Sequence, residues 1–582
     1  MNPFQDLQDD VLAAIAACQA AGELPQDLAT DRVTVEPPRD PAHGDAATNA
    51  ALVLAKEARR PPLAIAEALA ARLLDLPRVE TVEIAKPGFV NLRLTDDFWR
   101  GQIRIALQAG ARYGAADLGQ GRTVNVEYCS ANPNGPMHVG HGRGTVFGDA
   151  LANLLARMGW SVLREYYVND GGVQIEHLAR SVHYRYLGAL GAAPAEPPAG
   201  FYPGDYLIPL ARAIAERDGG RWRDAPESEW LPVFRARSVA AMLALIKADL
   251  AALGVQHDAF TSEAALIEAG RIEQALDRLA EQDLVYTGTL PPPKGKPAED
   301  WEPVPLLLFR STAFGDDVDR PLKSSRGQWT YLAADLAYHL DKIRRGAEEL
   351  IDVWGADHGG YIKRMQAGVQ ALSAGRVALD VKVCQLVNLL DGGQPLRMSK
   401  RAGRIVTLRD VVEEVGKDVV RFIMLTRRND APLDFDLAKV TEQSRDNPVW
   451  YVQYAHARIC SVQRHAADGG LPVTRPELAA CDLAPLTDPA ELGLIRQMAA
   501  WPRVLEGAAL HHEPHRIAFY LGDLAASFHA LWNQGNERPE LRFLRPEAPA
   551  LTCARLAMIA AVQVVLASGL EVIGVRPVEE LI

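Results

Sequence analysis

Two histidines three positions apart, His138 and His141, form the clearest chemical pattern in the chain. The run Ala131-Asn132-Pro133-Asn134-Gly135-Pro136-Met137 leads into His138-Val139-Gly140-His141. A short apolar run, Val124 to Tyr128, precedes it, and the helix-patterned residues Val146, Ala150, Leu151, Leu154, Leu155 and Met158 follow. The motif therefore falls where a strand ends and a helix begins. A helix N-terminus presents unpaired N–H groups and the positive end of the helix dipole, so it attracts phosphate. Both imidazoles reach toward that phosphate, and Gly140 lets a planar adenine lie against the backbone. A proline-rich loop with incidental histidines is the competing reading, and the strand-loop-helix context weighs against it.

A second pattern is Arg397-Met398-Ser399-Lys400-Arg401-Ala402-Gly403, which follows a strand and the turn Asp391-Gly392-Gly393. Three cations and a serine on a loop suit closure over a polyphosphate and stabilisation of charge on a leaving pyrophosphate. Taken alone, a solvated basic loop is the blander reading of it.

These residues need a parallel sheet to position them. Val124 to Tyr128, the helix after His141 and the strand Ser161 to Val168 make a β-loop-α-β unit, whose ligands sit at the strand C-termini. Sheet signals resume at Leu350 to Trp354 and Val381 to Leu390, and Thr407 with Asp410 resembles a capping box. The predicted organisation is 1–120 as an α+β unit, 121–435 as the parallel-sheet α/β unit with a helical insertion at about 171–300, and 436–582 as an all-α bundle. In the first unit, helices are predicted over Asp9 to Ala21 and over Ala51 to Leu74, the latter broken at Pro61-Pro62. Strands are predicted over Val79 to Ile84 and Phe89 to Leu94. In the last, helices are predicted over Asn447 to Arg464, Leu492 to Ala509, Arg516 to Trp532 and Leu551 to Gly569.

The composition is that of a globular protein: 582 residues, 48 % apolar and 23 % charged, with net charge −12. Bulk positive charge is absent, so a nucleic-acid partner must be gripped by local patches. The six scattered cysteines suit a reducing cytosol. No CxxC or close Cys/His set has the spacing of a zinc site. The apolar stretch Leu556 to Leu570 is short for a bilayer and reads as a buried helix. In the last segment, Trp450, Tyr451, Tyr454, Trp532 and Phe543 interleave with Arg458, Arg464, Arg542 and Arg545. Stacking and cation contacts to unpaired bases fit that mixture, with bundle-core packing as the competing reading for each aromatic.

Together the two motifs resemble the HIGH and KMSKS elements of class I aminoacyl-tRNA synthetases, with His138-Val139-Gly140-His141 for the first and Arg397-Met398-Ser399-Lys400-Arg401 for the second. Along nearly its whole length the chain is similar to the arginyl-tRNA synthetase family. The resemblance is carried by Gly44-Asp45-Ala46-Ala47-Thr48-Asn49, Pro87-Gly88-Phe89-Val90-Asn91, Val126-Glu127-Tyr128-Cys129-Ser130, Thr330 to Tyr338, Asp446-Asn447-Pro448 and Tyr454-Ala455-His456-Ala457-Arg458. It implies a Rossmann-like catalytic domain, an α+β N-terminal domain that touches the tRNA corner, and an all-α anticodon-binding bundle. It implies catalysis by His138, His141 and Lys400, with ATP also meeting Gly140, Asp357, His358, Met398 and Ser399. It places Glu127, Asn132, Tyr331, Asp335 and Tyr361 at arginine, and Trp450, Tyr454, Arg458 and Arg464 at tRNA.

The amino acid fits these residue types. Free arginine has two cationic ends, and a guanidinium is held best by a planar carboxylate fork. Tyr331 and Asp335, four apart, share a helix face, so Asp335 is assigned to the guanidinium with Tyr331 in support. Glu127 and Asn132 then serve the ammonium and polar tail. A helix-surface carboxylate for Asp335 and a loop partner for Glu127 are the competing readings. The expected partners are tRNA(Arg), L-arginine and ATP with Mg²⁺. No structural zinc, no membrane, a monomer, a cytoplasmic location and tRNA-dependent adenylate formation are also implied. Another class I synthetase and a non-catalytic RNA-binding relative are the alternatives. The latter is expected to lose the histidines or Lys400, which this chain retains.

Overall fold

The structure, a computed structural model, describes residues 2–194, 196–290, 304–396, 406–444 and 446–581. It divides into two compact units, one of Met1–Ala116, Gln443–Val572 and Arg576–Ile582, the other of Asp117–Glu442 with Ile573–Val575.

The N-terminal part of the first unit runs α1 (Pro3–Ala20), β1 (Val35–Glu36), β2 (Ala46–Thr48), α2 (Ala50–Ala58), α3 (Pro62–Leu74), β3 (Val79–Ala85), β4 (Phe89–Leu94) and α4 (Asp96–Ala109). Helix α1 starts at Pro3, ahead of the predicted Asp9, because Asn2 caps it: its Oδ1 accepts the Phe4 N–H at 3.0 Å. The Pro61-Pro62 break is where the sequence placed it, with Pro62 in the first turn of α3. Among the described residues the strands form an antiparallel sheet in the order β1-β2-β4-β3. Asp45 and Asn49 stitch its edges. Asp45 Oδ2 accepts the Leu94 N–H at 2.8 Å and Asn49 Oδ1 accepts the Thr34 N–H at 2.8 Å.

The second unit is built on β5 (Thr123–Glu127), α5 (Val139–Arg157) and β6 (Ser161–Val168), followed by α6 (Gly172–Ala189), α7 (Ile208–Asp218) and α8 (Glu227–Ala252). Then come β7 (Ala259–Ser262), α9 (Glu263–Glu268), α10 (Arg271–Ala280), β8 (Val285–Gly288), β9 (Leu306–Phe309) and β10 (Arg320–Pro321). The chain continues through α11 (Tyr331–Arg344), β11 (Glu349–Gly355), α12 (Ile362–Ser373), β12 (Ala378–Cys384), β13 (Val387–Asp391) and β14 (Gln394–Pro395). It ends with α13 (Leu408–Val415), α14 (Lys417–Met424), β15 (Leu433–Asp436) and α15 (Leu437–Val440). Among the described residues, five strands form a parallel sheet in the order β12-β11-β5-β6-β7. This is the Rossmann-like arrangement the sequence predicts.

Two details differ from the prediction. Strand β7 lies inside the stretch read as a helical insertion, yet it pairs with β6 as a member of the main sheet. The run Val381 to Leu390 is two strands in different sheets. At the break, Arg143 Nη1 donates to the Gln385 carbonyl at 3.0 Å and the Gln385 N–H donates to the Asn429 carbonyl at 2.8 Å. Those bonds take the chain out of one ladder and start β13 in another. The Thr407–Asp410 capping box opens α13 as predicted.

The C-terminal part of the first unit is helical: α16 (Pro448–Asp468), α17 (Arg475–Ala479), α18 (Pro489–Ala499), α19 (Trp501–Leu510), α20 (His515–Glu537) and α21 (Pro549–Val572). The predicted helix Leu492 to Ala509 divides at Ala500 into α18 and α19, and Pro502, lacking an N–H, sits in the first turn of α19. Helix α21 is a core helix, with Leu556, Val562, Val565 and Leu566 each 0 % exposed and Arg555 paired with Glu491 at 2.6 Å. One cysteine pair was not foreseen. Cys481 and Cys553, 72 residues apart, form a disulfide with Cα atoms 6.1 Å apart. Only the fold of α17 against α21 brings them together, so spacing along the chain carries no sign of it. Cys18, Cys129, Cys384 and Cys460 are free.

Candidate active site

The histidine pair sits at the start of α5, with His138 as N-cap and His141 in the first turn. Their rings stack, with centroids 3.7 Å apart and planes inclined by 22°. His141 Nδ1 accepts the His138 N–H at 3.3 Å, so the proton of the neutral ring sits on Nε2. Burial, and then the neighbouring His138, push the His141 pKa down to about 3. At neutral pH His141 is a hydrogen-bond donor without charge. A Cβ at Gly140 would lie 3.0 Å from the His138 ring, so the glycine makes room for the imidazole that precedes it. Gly148, farther along α5, lets the helix meet β5: a Cβ there would come within 2.3 Å of the Tyr128 side chain.

The backbone turns sharply after β5. Cys129 and Ser130 have φ of 73° and 41°, a left-handed conformation costly for residues with a Cβ. The turn brings the Ser130 hydroxyl onto Glu127 Oε1 at 3.0 Å, while its Oγ accepts the Tyr167 N–H at 3.0 Å. Glu127 is buried, and Lys342 Nζ donates to its Oε2 at 2.6 Å. Burial raises the Glu127 pKa above the ordinary glutamate value, and Lys342 opposes that rise.

Four carboxyl groups act electrostatically on the half-buried Tyr167. Burial raises the Tyr167 pKa first, and Asp335, Glu263, Glu127 and Asp170 raise it further. Asp335, on α11, accepts the Tyr361 hydroxyl on Oδ2 at 2.5 Å. Burial lifts the Asp335 pKa, and the Tyr361 bond lowers it. Glu263, at the start of α9, is pushed up to about 7 by burial, then by Asp335 and Asp170. An acidic, partly desolvated pocket of this kind suits a ligand with two positive ends.

The other predicted residues are placed less uniformly. Tyr331 begins α11 but is 83 % exposed, and Tyr361 is the residue bonded to Asp335. Asn132 is exposed on the loop before His138. Asp357 and His358 are exposed on the 3-10 turn Ala356–Tyr361 after β11, 3.4 Å apart. Met398, Ser399 and Lys400 lie outside the described residues. The described chain resumes at Val406, and there Thr407 bridges His138 while the Leu408 N–H donates to the Met137 carbonyl at 2.8 Å. The downstream anchor of the second motif is thus beside the first. Among the described residues no three His, Cys, Asp or Glu side chains come together as a metal site.

Family models match three stretches: the arginyl tRNA synthetase N terminal domain at residues 5–94, the class I (R) tRNA synthetase catalytic domain at 102–186, and the DALR anticodon binding domain at 452–581. An arginine–tRNA ligase of Rhodospirillum rubrum is 58 % identical and one of Paracoccus denitrificans 57 % identical, each over 100 % of both chains. The chain belongs to the arginyl-tRNA synthetase family. The fold agrees: the arginyl-tRNA synthetase structure of Thermus thermophilus matches with TM-score 0.74, 24 % identity and 100 % of both chains covered. That of Plasmodium falciparum matches with TM-score 0.68, 16 % identity and 99 % of both covered.

In this arginyl-tRNA synthetase family member, the predicted tRNA residues lie on α16. Trp450 and Tyr454 stack at 4.6 Å, and both are half-buried. The Arg458 guanidinium lies 4.2 Å from the Tyr454 ring and 4.5 Å from the Trp532 ring, and bonds the Tyr454 hydroxyl. Its Nη1 also meets His529 Nδ1 at 3.2 Å. Burial drives the His529 pKa down to about 4, so the neutral ring accepts there and donates from Nε2 to the Tyr451 carbonyl. Exposed Arg464 reaches Glu580 at 3.3 Å.

Sequence reasoning missed Asp170, Glu263, Tyr167 and Lys342. The first two sit just beyond β6 and β7, and ligands of parallel sheets collect at strand C-termini. Recognising β7 as a strand would have pointed to Glu263. Lys342 carries no such signal, because its partners are set by strand register.

Proposed function

We propose that the chain joins arginine to tRNA(Arg) in two steps. In the first, the arginine carboxylate displaces pyrophosphate in line at the α-phosphate of ATP, forming a carboxyl–phosphate bond as the Pα–O–Pβ bond breaks. In the second, the 3′-terminal ribose of tRNA takes the arginyl group and AMP leaves. The protein supplies orientation and charge stabilisation and no covalent nucleophile. The observation that carries the reading is the buried Asp335 held by Tyr361, with Glu263, Glu127 and Asp170 acting with it on one ring, in the unit that also carries the stacked histidine pair.

In this reading the α5 N-terminus, His138 and His141 hold the ATP phosphates, with Gly140, Asp357, His358, Met398 and Ser399 on the nucleotide. Mg²⁺ travels with ATP as part of the substrate. Lys400 neutralises the departing pyrophosphate, which the position of Thr407 and Leu408 beside the histidines supports. Asp335, held by Tyr361, takes the guanidinium, with Glu263 as a second acid; Glu127 and Asn132 take the ammonium end, and Tyr331 borders the pocket. Trp450, Tyr454, Arg458 and Arg464 meet the tRNA, whose presence adenylate formation requires. The protein acts as a monomer in the cytoplasm.

Charging of unfractionated tRNA with a panel of labelled amino acids tests this. Only arginine is expected to be esterified. Charging with a different amino acid favours another class I specificity, and RNA binding without charging favours a non-catalytic relative.

A pH dependence follows from Glu263. An acid with its pKa raised to about 7 is mostly neutral at pH 6 and mostly ionised at pH 8. A cationic substrate prefers the ionised form, so the arginine KM is expected to fall about tenfold between pH 6 and pH 8. Glu263→Gln should flatten the profile at the higher, low-pH KM. A wild-type KM that is constant across this range would exclude Glu263 from the guanidinium site.

A further inference from the structure

Three neighbouring strands carry a buried row of carboxylates across the sheet. Asp352 on β11, Glu127 on β5 and Glu165 on β6 are register partners, so their side chains leave the same face of the sheet. Unassisted, three buried carboxylates side by side would repel one another. Helix α11 answers with two cations from its C-terminal end. Lys342, 0 % exposed, donates to Glu127 Oε2 at 2.6 Å and to Asp352 Oδ1 at 2.9 Å. Arg345 donates to the two oxygens of Glu165 at 2.7 and 2.8 Å. One turn earlier, His339 faces two acceptors, the Asp335 carbonyl at 2.7 Å and Asp352 Oδ2 at 2.8 Å. Both ring nitrogens therefore donate, which requires an imidazolium. Burial opposes that charge most strongly, but the charge and hydrogen bond of Asp352, together with Glu127, leave the His339 pKa above its ordinary value. Asp352, Glu127, Lys342 and His339 thus form a neutral quartet of two negative and two positive groups. The Lys342 ammonium fastens the helix that carries Asp335 to the strand that ends in Glu127.

We propose that Lys342 is a positioning residue for the arginine pocket: it holds Glu127 by one carboxylate oxygen and fixes the placement of Asp335 relative to it. The role rests on the arginine reading above and extends it to a side chain that does not touch substrate. An ammonium shared by these two register-paired acids leaves Glu127 no freedom to swing toward Asp352. The edge it offers the substrate ammonium is then preset, as is the span between the two acids that arginine must bridge.

The test is arginine-dependent exchange of pyrophosphate into ATP, with tRNA present, for wild type, Lys342→Met and the double variant Lys342→Met/Asp352→Asn. The double variant removes one positive and one negative group, so the formal charge of the quartet stays balanced while Glu127 loses Lys342 and His339 loses the Asp352 charge. It carries the test if Lys342→Met fails to fold. The arginine KM is expected to rise about 10–100-fold in both, because a buried carboxylate has lost its charged partner. The ATP KM should stay within about twofold, a split that general loosening of the fold would not produce. A double variant that regains the wild-type arginine KM overturns the proposal, since Lys342 would then only neutralise Asp352. Equal losses toward arginine and ATP overturn it as well. A wild-type protein without arginine-dependent exchange overturns the arginine reading itself, independently of Lys342.

Discussion

Asp335→Asn is expected to raise the arginine KM about 10²–10³-fold while leaving the ATP KM and the thermal midpoint close to wild type. The substitution changes almost no volume. Asparagine still offers an oxygen to the Tyr361 hydroxyl, which Asp335 accepts at 2.5 Å. What disappears is the charge that the proposed site sets opposite the guanidinium. Removing one partner of a desolvated ion pair costs about 3–5 kcal/mol, which corresponds to 10²–10³ or slightly more in affinity. Part of that loss is offset by Glu263, whose carboxyl neighbours Asp335. Tyr331→Phe should cost far less, because Tyr331 is 83 % exposed. Steady-state exchange kinetics with arginine and ATP varied separately check both expectations. A wild-type arginine KM in Asp335→Asn would mean that a different acid holds the guanidinium.

Lys400→Ala is expected to slow adenylate formation about 10²–10³-fold, the scale on which loss of one preorganised charge stabiliser is felt in a transition state. The arginine KM should change little, since in the proposed role the ammonium acts on charge that develops as pyrophosphate leaves. The two variants thus separate the two ends of the reaction, one altering substrate capture and the other the chemical step. Single-turnover formation of arginyl-adenylate measures the second directly. An unchanged rate would remove Lys400 from the mechanism.

The legible part of the site was the part encoded in contiguous residues. The strand-loop-helix around His138 to His141, the break at Pro61-Pro62 and the Thr407–Asp410 cap are local, and spacing alone reads them. Relations set by register or by tertiary approach were hidden. Nothing along the chain pairs Asp352 with Glu127, because strand order and register decide it. Strand β7 is only Ala259–Ser262, too short to show alternation beside long helical stretches, so the acid that follows it was passed over. Tyr361 reaches Asp335 from the turn after β11, whereas helical spacing pointed to Tyr331 on Asp335's own helix. The Cys481–Cys553 bond is another relation of this kind. Periodicity reads one element at a time, and an acidic pocket assembled at the ends of several strands belongs to no single element.

In the proposed reaction the acids that act on Tyr167 and the imidazoles on α5 serve one amino acid and one triphosphate. Exchange of labelled pyrophosphate into ATP, run with each amino acid in turn and with tRNA present and then omitted, tests this most directly. Exchange is expected with arginine and with no other amino acid, and only when tRNA is added. Exchange driven by a different amino acid, or none with arginine and tRNA together, would contradict it.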